Sequence, residues 1–250
     1  MNVTDGETDD ILLTADGIDF AYGNVTILQN VSATISAGQV TALIGPNGTG
    51  KSTFIRALAG LQKPTAGSIR YHGPETAREI GYLPQQPAFR PNFTVRETLE
   101  FYSSLVGDDR EDVLARLERV GLSDAADRQV NALSGGMTRL LGIAQATIGD
   151  PPIVVLDEPA SGLDPGMSTR VFEIAAELAE TGAAVLLTSH DLELVERTAD
   201  KVLLLDAGSI AERGHPTAIL DRLGVESLRS AYEESISGDL YTVRVQGESV

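Results

Sequence analysis

Residues Gln39–Ser52, QVTALIGPNGTGKS, pass from a short apolar run into a glycine-rich loop, and STFIRALAGL follows with apolar residues at helical spacing. The order read from this stretch is strand, loop, helix. Glycines let backbone N–H groups close around an anion, and the helix that follows points its positive end at the same place. Gly45-Pro46-Asn47-Gly48-Thr49-Gly50-Lys51-Ser52, continued by Thr53, matches the phosphate-binding pattern in the setting that pattern requires. Lys51 would then neutralise phosphate charge, and Ser52 would ligate magnesium.

On the N-terminal side, ILLTADGIDFAY (residues 11–22) and TILQNVSATIS (residues 26–36) alternate like half-buried strands and predict a small antiparallel sheet. On the C-terminal side, SIRYHG and EIGYLPQ read as further strands. TVRETLEFYSSL and REDVLARLERVGL show the helical period with acidic starts, so a helical insertion is expected over about residues 87–149. PIVVLDEP and AAVLLTSHD are continuous apolar strands ending in polar clusters, with MSTRVFEIAAELAETG between them as a crossover helix. Buried parallel strands joined by helices predict an α/β fold whose ligands collect outside the carboxyl ends of the strands. Residues after about 222 read as polar and weakly patterned.

With 250 residues and 42% hydrophobic content, the chain can bury a sizeable core. It has no cysteine, which excludes disulfides, thiolate metal sites and a cysteine nucleophile. A formal net charge of −17 opposes a main partner held by its phosphate backbone, so no nucleic acid is expected. Lysine occurs only at Lys51, Lys63 and Lys201, and an acidic, lysine-poor surface of this kind resembles proteins of salt-loving cells. No run approaches the roughly 18 apolar residues that span a bilayer, and the acidic start MNVTDGETDDILL is unlike a secretory signal, so the expectation is a cytoplasmic protein.

Asp157 and Glu158 close an apolar strand and, taken alone, read equally well as a hydrogen-bonded structural couple. Beside a phosphate loop, one carboxylate is needed to organise magnesium and another to hold and polarise water. Asp157 suits the first role and Glu158 the second. His190 reads either as the neighbour of a helix cap or, facing the same crevice, as a contact to the γ-phosphate. Leu133-Ser-Gly-Gly-Met137 raises a separate question. Ser134 is a favoured N-cap, yet two glycines weaken the helix they open, and the bare N–H groups of such an end suit an anion. A capped helix with a packing glycine is the plainer alternative.

Over about residues 11–222 the chain resembles the nucleotide-binding subunit of ATP-binding cassette transporters. IGPNGTGKST looks like that family's phosphate motif, LSGGM its signature, IVVLDEP its magnesium strand with the glutamate, SGLD at Ser161–Asp164 its D-loop, and TSHD its switch histidine at His190. Gln85 in GYLPQ stands where the family has its Q-loop glutamine, with Gln86 as the alternative. Tyr22 stands where an aromatic ring stacks on adenine, although by itself it reads as core. The resemblance implies a P-loop NTPase, RecA-like core with a mostly parallel sheet, an antiparallel β subdomain and a helical subdomain, flanked by an acidic tail (1–10) and a C-terminal extension (223–250).

The resemblance also implies ATP and Mg2+ as cofactors, with Ser52, Gln85 and Asp157 around the metal, and Glu158, His190, Lys51 and Gln85 in catalysis. Two subunits would pair head to tail, so that Ser134, Gly135 and Gly136 of one address the γ-phosphate held by the other, with Asp164 in the adjoining D-loop. The partner is a second copy or a close relative, and an integral membrane subunit docks near Gln85 at the cytoplasmic face of the membrane. Met137 departs from the glutamine many members carry, and a thioether cannot supply an amide's hydrogen bonds. LSGGM and the tail SLRSAYEES are similar to the exporter branch. The alternative is a soluble cassette ATPase that drives a scaffold, such as one in iron–sulfur cluster assembly.

Overall fold

In the computed structural model, which describes residues 11–107 and 112–236, β1 (Ile11–Tyr22) and β2 (Val25–Ser36) pair antiparallel. The expected segment 1–10, the residues 110–111 that begin the REDVLARLERVGL pattern, and the part of 223–250 beyond residue 236 lie outside the described residues. The quoted stretch folds as read: β3 (Val40–Ile44) is followed by the glycine loop and α1 (Lys51–Leu58). β4 (Ala66–Tyr71) adds antiparallel to β1, giving a three-stranded sheet of order β2-β1-β4.

β5 (Ile80–Leu83) leads into helices α2 (Val95–Val106), α3 (Asp112–Arg119) and α4 (Gly135–Ala146), which fall within the span expected to be helical. Residues 87–94 carry no helix. α2 starts at Val95 because Thr94 and Glu97 form a capping box: Glu97 N–H donates to Thr94 Oγ1 at 3.1 Å, and Thr94 N–H to Glu97 Oε2 at 2.8 Å. The chain then alternates: β6 (Ile153–Leu156), α5 (Pro165–Glu180), β7 (Ala184–Thr188), α6 (Leu192–Thr198), β8 (Lys201–Asp206), β9 (Ser209–Gly214), α7 (Pro216–Leu223) and α8 (Leu228–Ser235).

The second sheet has six strands in the order β5-β6-β7-β3-β8-β9, parallel except for β9, which returns antiparallel beside β8. Both of its faces are covered, which explains why its central strands β3, β6 and β7 are buried at every position and mostly apolar rather than alternating. Ala42, Ile44, Val154, Leu187 and Leu204 join the core beneath the helices, including Leu141 of α4 and Phe172 of α5. Leu43, Val155, Leu186 and Leu203 point the other way, against Phe54 and Ile55 of α1 and Ile18 and Leu28 of the antiparallel sheet.

The polar reading of the residues after 222 is corrected by α8. Its polar composition hides an amphipathic helix, in which Leu228 and Ala231 are fully buried and Tyr232 packs partly against the same core. The strands KVLLLD and SIAERG were also not singled out from sequence, although β8 lies beside β3 in the middle of the sheet. Among the described residues no helix is long and apolar enough to cross a membrane.

Candidate active site

β6, β7 and β3 are successive neighbours in the sheet, so their carboxyl ends deliver three loops to one place. Register sharpens this. Leu156 pairs with Leu187 and Leu43 with Thr188, which sets Asp157, Thr188 and Gly45 at the same rim.

Lys51 opens α1, is only 6% exposed, and donates through Nζ to the Gly45 carbonyl at 2.7 Å and the Pro46 carbonyl at 2.9 Å. Burial lowers its pKa from the ordinary lysine value, and the nearby Glu158 and Asp157 charges oppose that shift. A desolvated ammonium at a helix N-terminus is a seat for an anion. Glycine at 45 is dictated by a close approach: its φ is +151°, and a β-carbon there would lie 2.1 Å from the Leu205 carbonyl oxygen. Thr49 Oγ1 ties back to the Pro46 carbonyl at 2.9 Å, while Asn47 and Gly48 form the exposed tip of the loop. Gly50, at φ +102°, caps α1 without a side chain, and Ser52 and Thr53 follow in the first turn, both partly exposed.

Asp157 is fully buried, and its Oδ1 receives the Thr188 hydroxyl at 3.0 Å and the Ser52 hydroxyl at 3.4 Å. Its Oδ2 faces the Tyr82 hydroxyl at 3.4 Å and Arg56 Nη2 at 3.9 Å. Glu158 adopts a left-handed backbone, φ +49°, which costs a non-glycine residue about 1–2 kcal/mol, and its N–H is held by Thr188 Oγ1 at 2.7 Å. That backbone angle sets the direction of the side chain. Glu158 Oε1 lies 2.7 Å from His190 Nε2, and Oε2 accepts from Gln85 Nε2 at 3.3 Å. An ionised carboxylate only accepts, so this geometry requires the proton of His190 on Nε2. Gln85 and Gln86 are both exposed, and it is Gln85 that bonds to Glu158.

Five of the expected catalytic and metal residues therefore meet in two groups: Ser52 with Asp157, and Gln85 and His190 with Glu158. Gln85 is tied to the second group rather than to the Ser52 and Asp157 pair. A cavity of about 840 Å³ opens beside Glu158 and His190, lined also by Ser161, Gly162, Ser189 and Arg229.

Ser134 is the exposed N-cap of α4, its Oγ accepting the Met137 N–H at 3.2 Å. Among the described residues nothing lies within 4 Å of a β-carbon built on Gly135, and one on Gly136 would meet Met167 only at an ordinary 3.4 Å. Packing inside the chain therefore does not require either glycine. Met137 packs partly against the core with its sulfur 3.9 Å from Arg128 Nη1. Asp164 caps α5 by accepting the Met167 N–H at 3.0 Å. Tyr22 is 52% exposed with its hydroxyl 3.4 Å from Gln62 Oε1, which corrects its plainer reading as core.

Sequence reasoning passed over Thr188, Tyr82, Arg56 and Arg139. Thr188 is the first residue of the quoted TSHD, but only its position across from Asp157 reveals the bridging hydroxyl. Arg139 donates to the Gln85 carbonyl at 2.5 Å from 54 residues away, a contact no local pattern announces.

A sequence profile of the family described as ABC transporter matches residues 28–161. The chain is 35% identical over 228 residues to the linearmycin resistance ATP-binding protein LnrL of Bacillus subtilis (strain 168), covering 87% of this chain and 73% of that one. It is 34% identical over 220 residues to the Nod factor export ATP-binding protein I of Ralstonia nicotianae, covering 84% of this chain and 68% of the relative. Among solved structures, an ATP-binding subunit of an ABC transporter superposes with a TM-score of 0.80 at 29% identity, covering 90% of this chain and 99% of the other. A dimeric bacterial ABC transporter cassette superposes with a TM-score of 0.74 at 25% identity, covering 82% and 98%. With a glycine loop and its buried lysine after β3 and two carboxylates after β6 on the same rim of the sheet, the chain belongs to the ABC transporter family as an ATP-hydrolysing, nucleotide-binding subunit.

Proposed function

We propose that two copies of this chain, or this chain and a close relative, close head to tail over two ATP molecules and drive an integral membrane subunit in export. The carrying observation is the pair Gly135 and Gly136, which opens an exposed helix end with no neighbour in its own chain that demands glycine. Their missing side chains then serve something outside the chain. A triphosphate held on the partner's Lys51 loop fits bare N–H groups and a serine hydroxyl. The dimeric cassette among the structural relatives, and relatives named for export and for linearmycin resistance, favour this reading over a scaffold ATPase.

The oxygen donors Ser52 Oγ and Asp157 Oδ1 stand 3.4 Å apart, and no group of three His, Asp or Glu side chains assembles among the described residues. That set suits magnesium, which takes one or two protein oxygens and completes its shell with phosphate and water. Ser52 and Asp157 would hold it, with Gln85 Oε1 as a further oxygen, and bound there it neutralises charge on the β- and γ-phosphate oxygens.

Glu158 orients a water in line with the γ-phosphorus and accepts its proton as the new O–P bond forms and the bond to the β-phosphate bridging oxygen breaks. Lys51 and the α1 N-terminus stabilise the charge spread over the equatorial oxygens. His190 Nε2–H, shared with Glu158 in this geometry, turns to the γ-phosphate and senses its departure. Tyr22 offers its exposed ring to adenine. Closure draws the helices after Gln85 toward the core, and the membrane subunit docked at the cytoplasmic face receives that movement.

Glu158→Gln tests the reading. Expected are retained ATP binding, phosphate release reduced at least about a hundredfold, and an ATP-dependent dimer in light scattering that Ser134→Arg abolishes. Undiminished turnover in Glu158→Gln, or ATP-driven dimers that survive Ser134→Arg, would overturn it.

A further inference from the structure

Arg139 lies in the second turn of α4, five residues beyond Ser134, about 7.5 Å along the same helix. Its guanidinium is only partly exposed, and Nη1 donates to the Gln85 carbonyl at 2.5 Å and the Pro84 carbonyl at 3.4 Å. Gln85 in turn donates through its side-chain amide to Glu158 Oε2 at 3.3 Å. Burial lowers the Arg139 pKa, and the charges of Glu158 and Asp157 act against that shift. The cation is thus held within the field of the catalytic carboxylates without touching them.

We infer that Arg139 is a positioning residue linking the Ser134 end of α4 to Glu158 through Gln85, so that capture of this helix end by nucleotide on a second copy sets the Glu158 carboxylate of its own chain. The inference rests on the paired arrangement proposed above. In that arrangement each chain lends Ser134–Gly136 to one ATP and Glu158 to the other, so the relay from Ser134 through Arg139 and Gln85 to Glu158 joins the two sites. α4 carries the displacement as a rigid rod, and a shift of about 1 Å is enough to misplace a catalytic group. Both carbonyls are served by one guanidinium nitrogen, Nη1, so a lysine ammonium can replace part of this grip.

The test compares the full-length wild type with Arg139→Gln, Arg139→Lys, Gln85→Ala and the Arg139→Gln/Gln85→Ala double variant. Phosphate release is measured against ATP concentration, together with nucleotide affinity and melting temperature, and ATP-driven dimers are measured in the Glu158→Gln background. Expected are a sigmoidal ATP dependence in the wild type and, for Arg139→Gln, unchanged nucleotide affinity and melting temperature, turnover lowered about tenfold, and a Hill coefficient close to 1. Adding Arg139→Gln to Gln85→Ala should cost nothing more, because the link from Arg139 to Glu158 is already cut when the Gln85 side chain is gone. Arg139→Lys should recover part of the turnover, and it decides the matter on its own should the glutamine variant fold poorly. Wild-type turnover and cooperativity in both Arg139 variants, fully additive losses in the double variant, or a loss that follows the melting temperature would overturn the inference while leaving pairing intact. Failure of Glu158→Gln to dimerise with ATP would remove the pairing itself, and this inference with it.

Discussion

The Thr188 hydroxyl accepts the backbone N–H of Glu158 at 2.7 Å, and the same oxygen donates its proton to Asp157 Oδ1 at 3.0 Å. One buried side chain on β7 therefore fixes both the Asp157 carboxylate and the backbone of Glu158, the two residues that follow β6. Because Glu158 sits at φ +49°, the hydrogen bond to its N–H offsets part of the cost of that conformation. Thr188→Val keeps the shape and removes the hydroxyl. Expected are a stability loss of about 1–3 kcal/mol from the orphaned N–H and carboxylate oxygen, and turnover lowered about tenfold to a hundredfold from misplacement of Glu158. Thr188→Ser should restore most of both, in denaturant melts and phosphate-release assays.

Gly135 separates stability from function. No atom among the described residues lies within 4 Å of an added β-carbon, and its backbone is not among those with positive φ. Gly135→Ala should be neutral or stabilising by up to about 1 kcal/mol, since alanine gives up less backbone freedom on folding. ATP-driven pairing should nonetheless weaken, because the β-carbon stands where the partner's phosphate approaches. A thermal melt beside a light-scattering titration with ATP in the Glu158→Gln background distinguishes the two effects.

The buried ammonium of Lys51 gives a pH signature. Its folded pKa is lowered by burial, so between that value and the unfolded lysine pKa of about 10.4 the unfolded chain binds more protons, and stability rises with pH on this account. Below the folded pKa both states are protonated, and the cost of burial is present in full. Lys51→Met removes this contribution along with nucleotide binding. The difference in unfolding free energy, Lys51→Met minus wild type, should therefore shrink as pH is raised toward 10.4 in urea titrations of nucleotide-free protein. A difference that widened with pH would contradict the assigned cause.

Much of the fold is legible because its information is local. The run VTALI is apolar at every position but Thr41, as both-face burial favours, and the glycines that follow it bend the chain into α1. Thr94 and Glu97 announce the start of α2 within four residues. α8 escaped because only Leu228, Ala231 and Tyr232 mark its apolar face among polar neighbours, too short a stripe to stand out until α6 and α7 supply the surface it covers. β8 escaped for a different reason: four apolar residues between Lys201 and Asp206 carry no sign of their partner, and the place of β8 beside β3 is a matter of strand order.

The sequence by itself determined the chemistry of the parts: a loop that cradles phosphate around Lys51, carboxylates closing an apolar strand at Asp157 and Glu158, and a helix opened by Ser134 with two glycines. Each is written in a contiguous stretch, where backbone freedom and side-chain type act over a few residues. Tertiary structure alone decided which parts touch. His190 reaches Glu158 across 32 residues, Thr188 reaches Asp157 across 31, and Arg139 reaches the Gln85 carbonyl across 54. The first two contacts follow from the order β6-β7-β3 and its register, the third from the packing of α4 against β5, and all are chosen by burying both faces of the sheet at once and not by any residue's own neighbours.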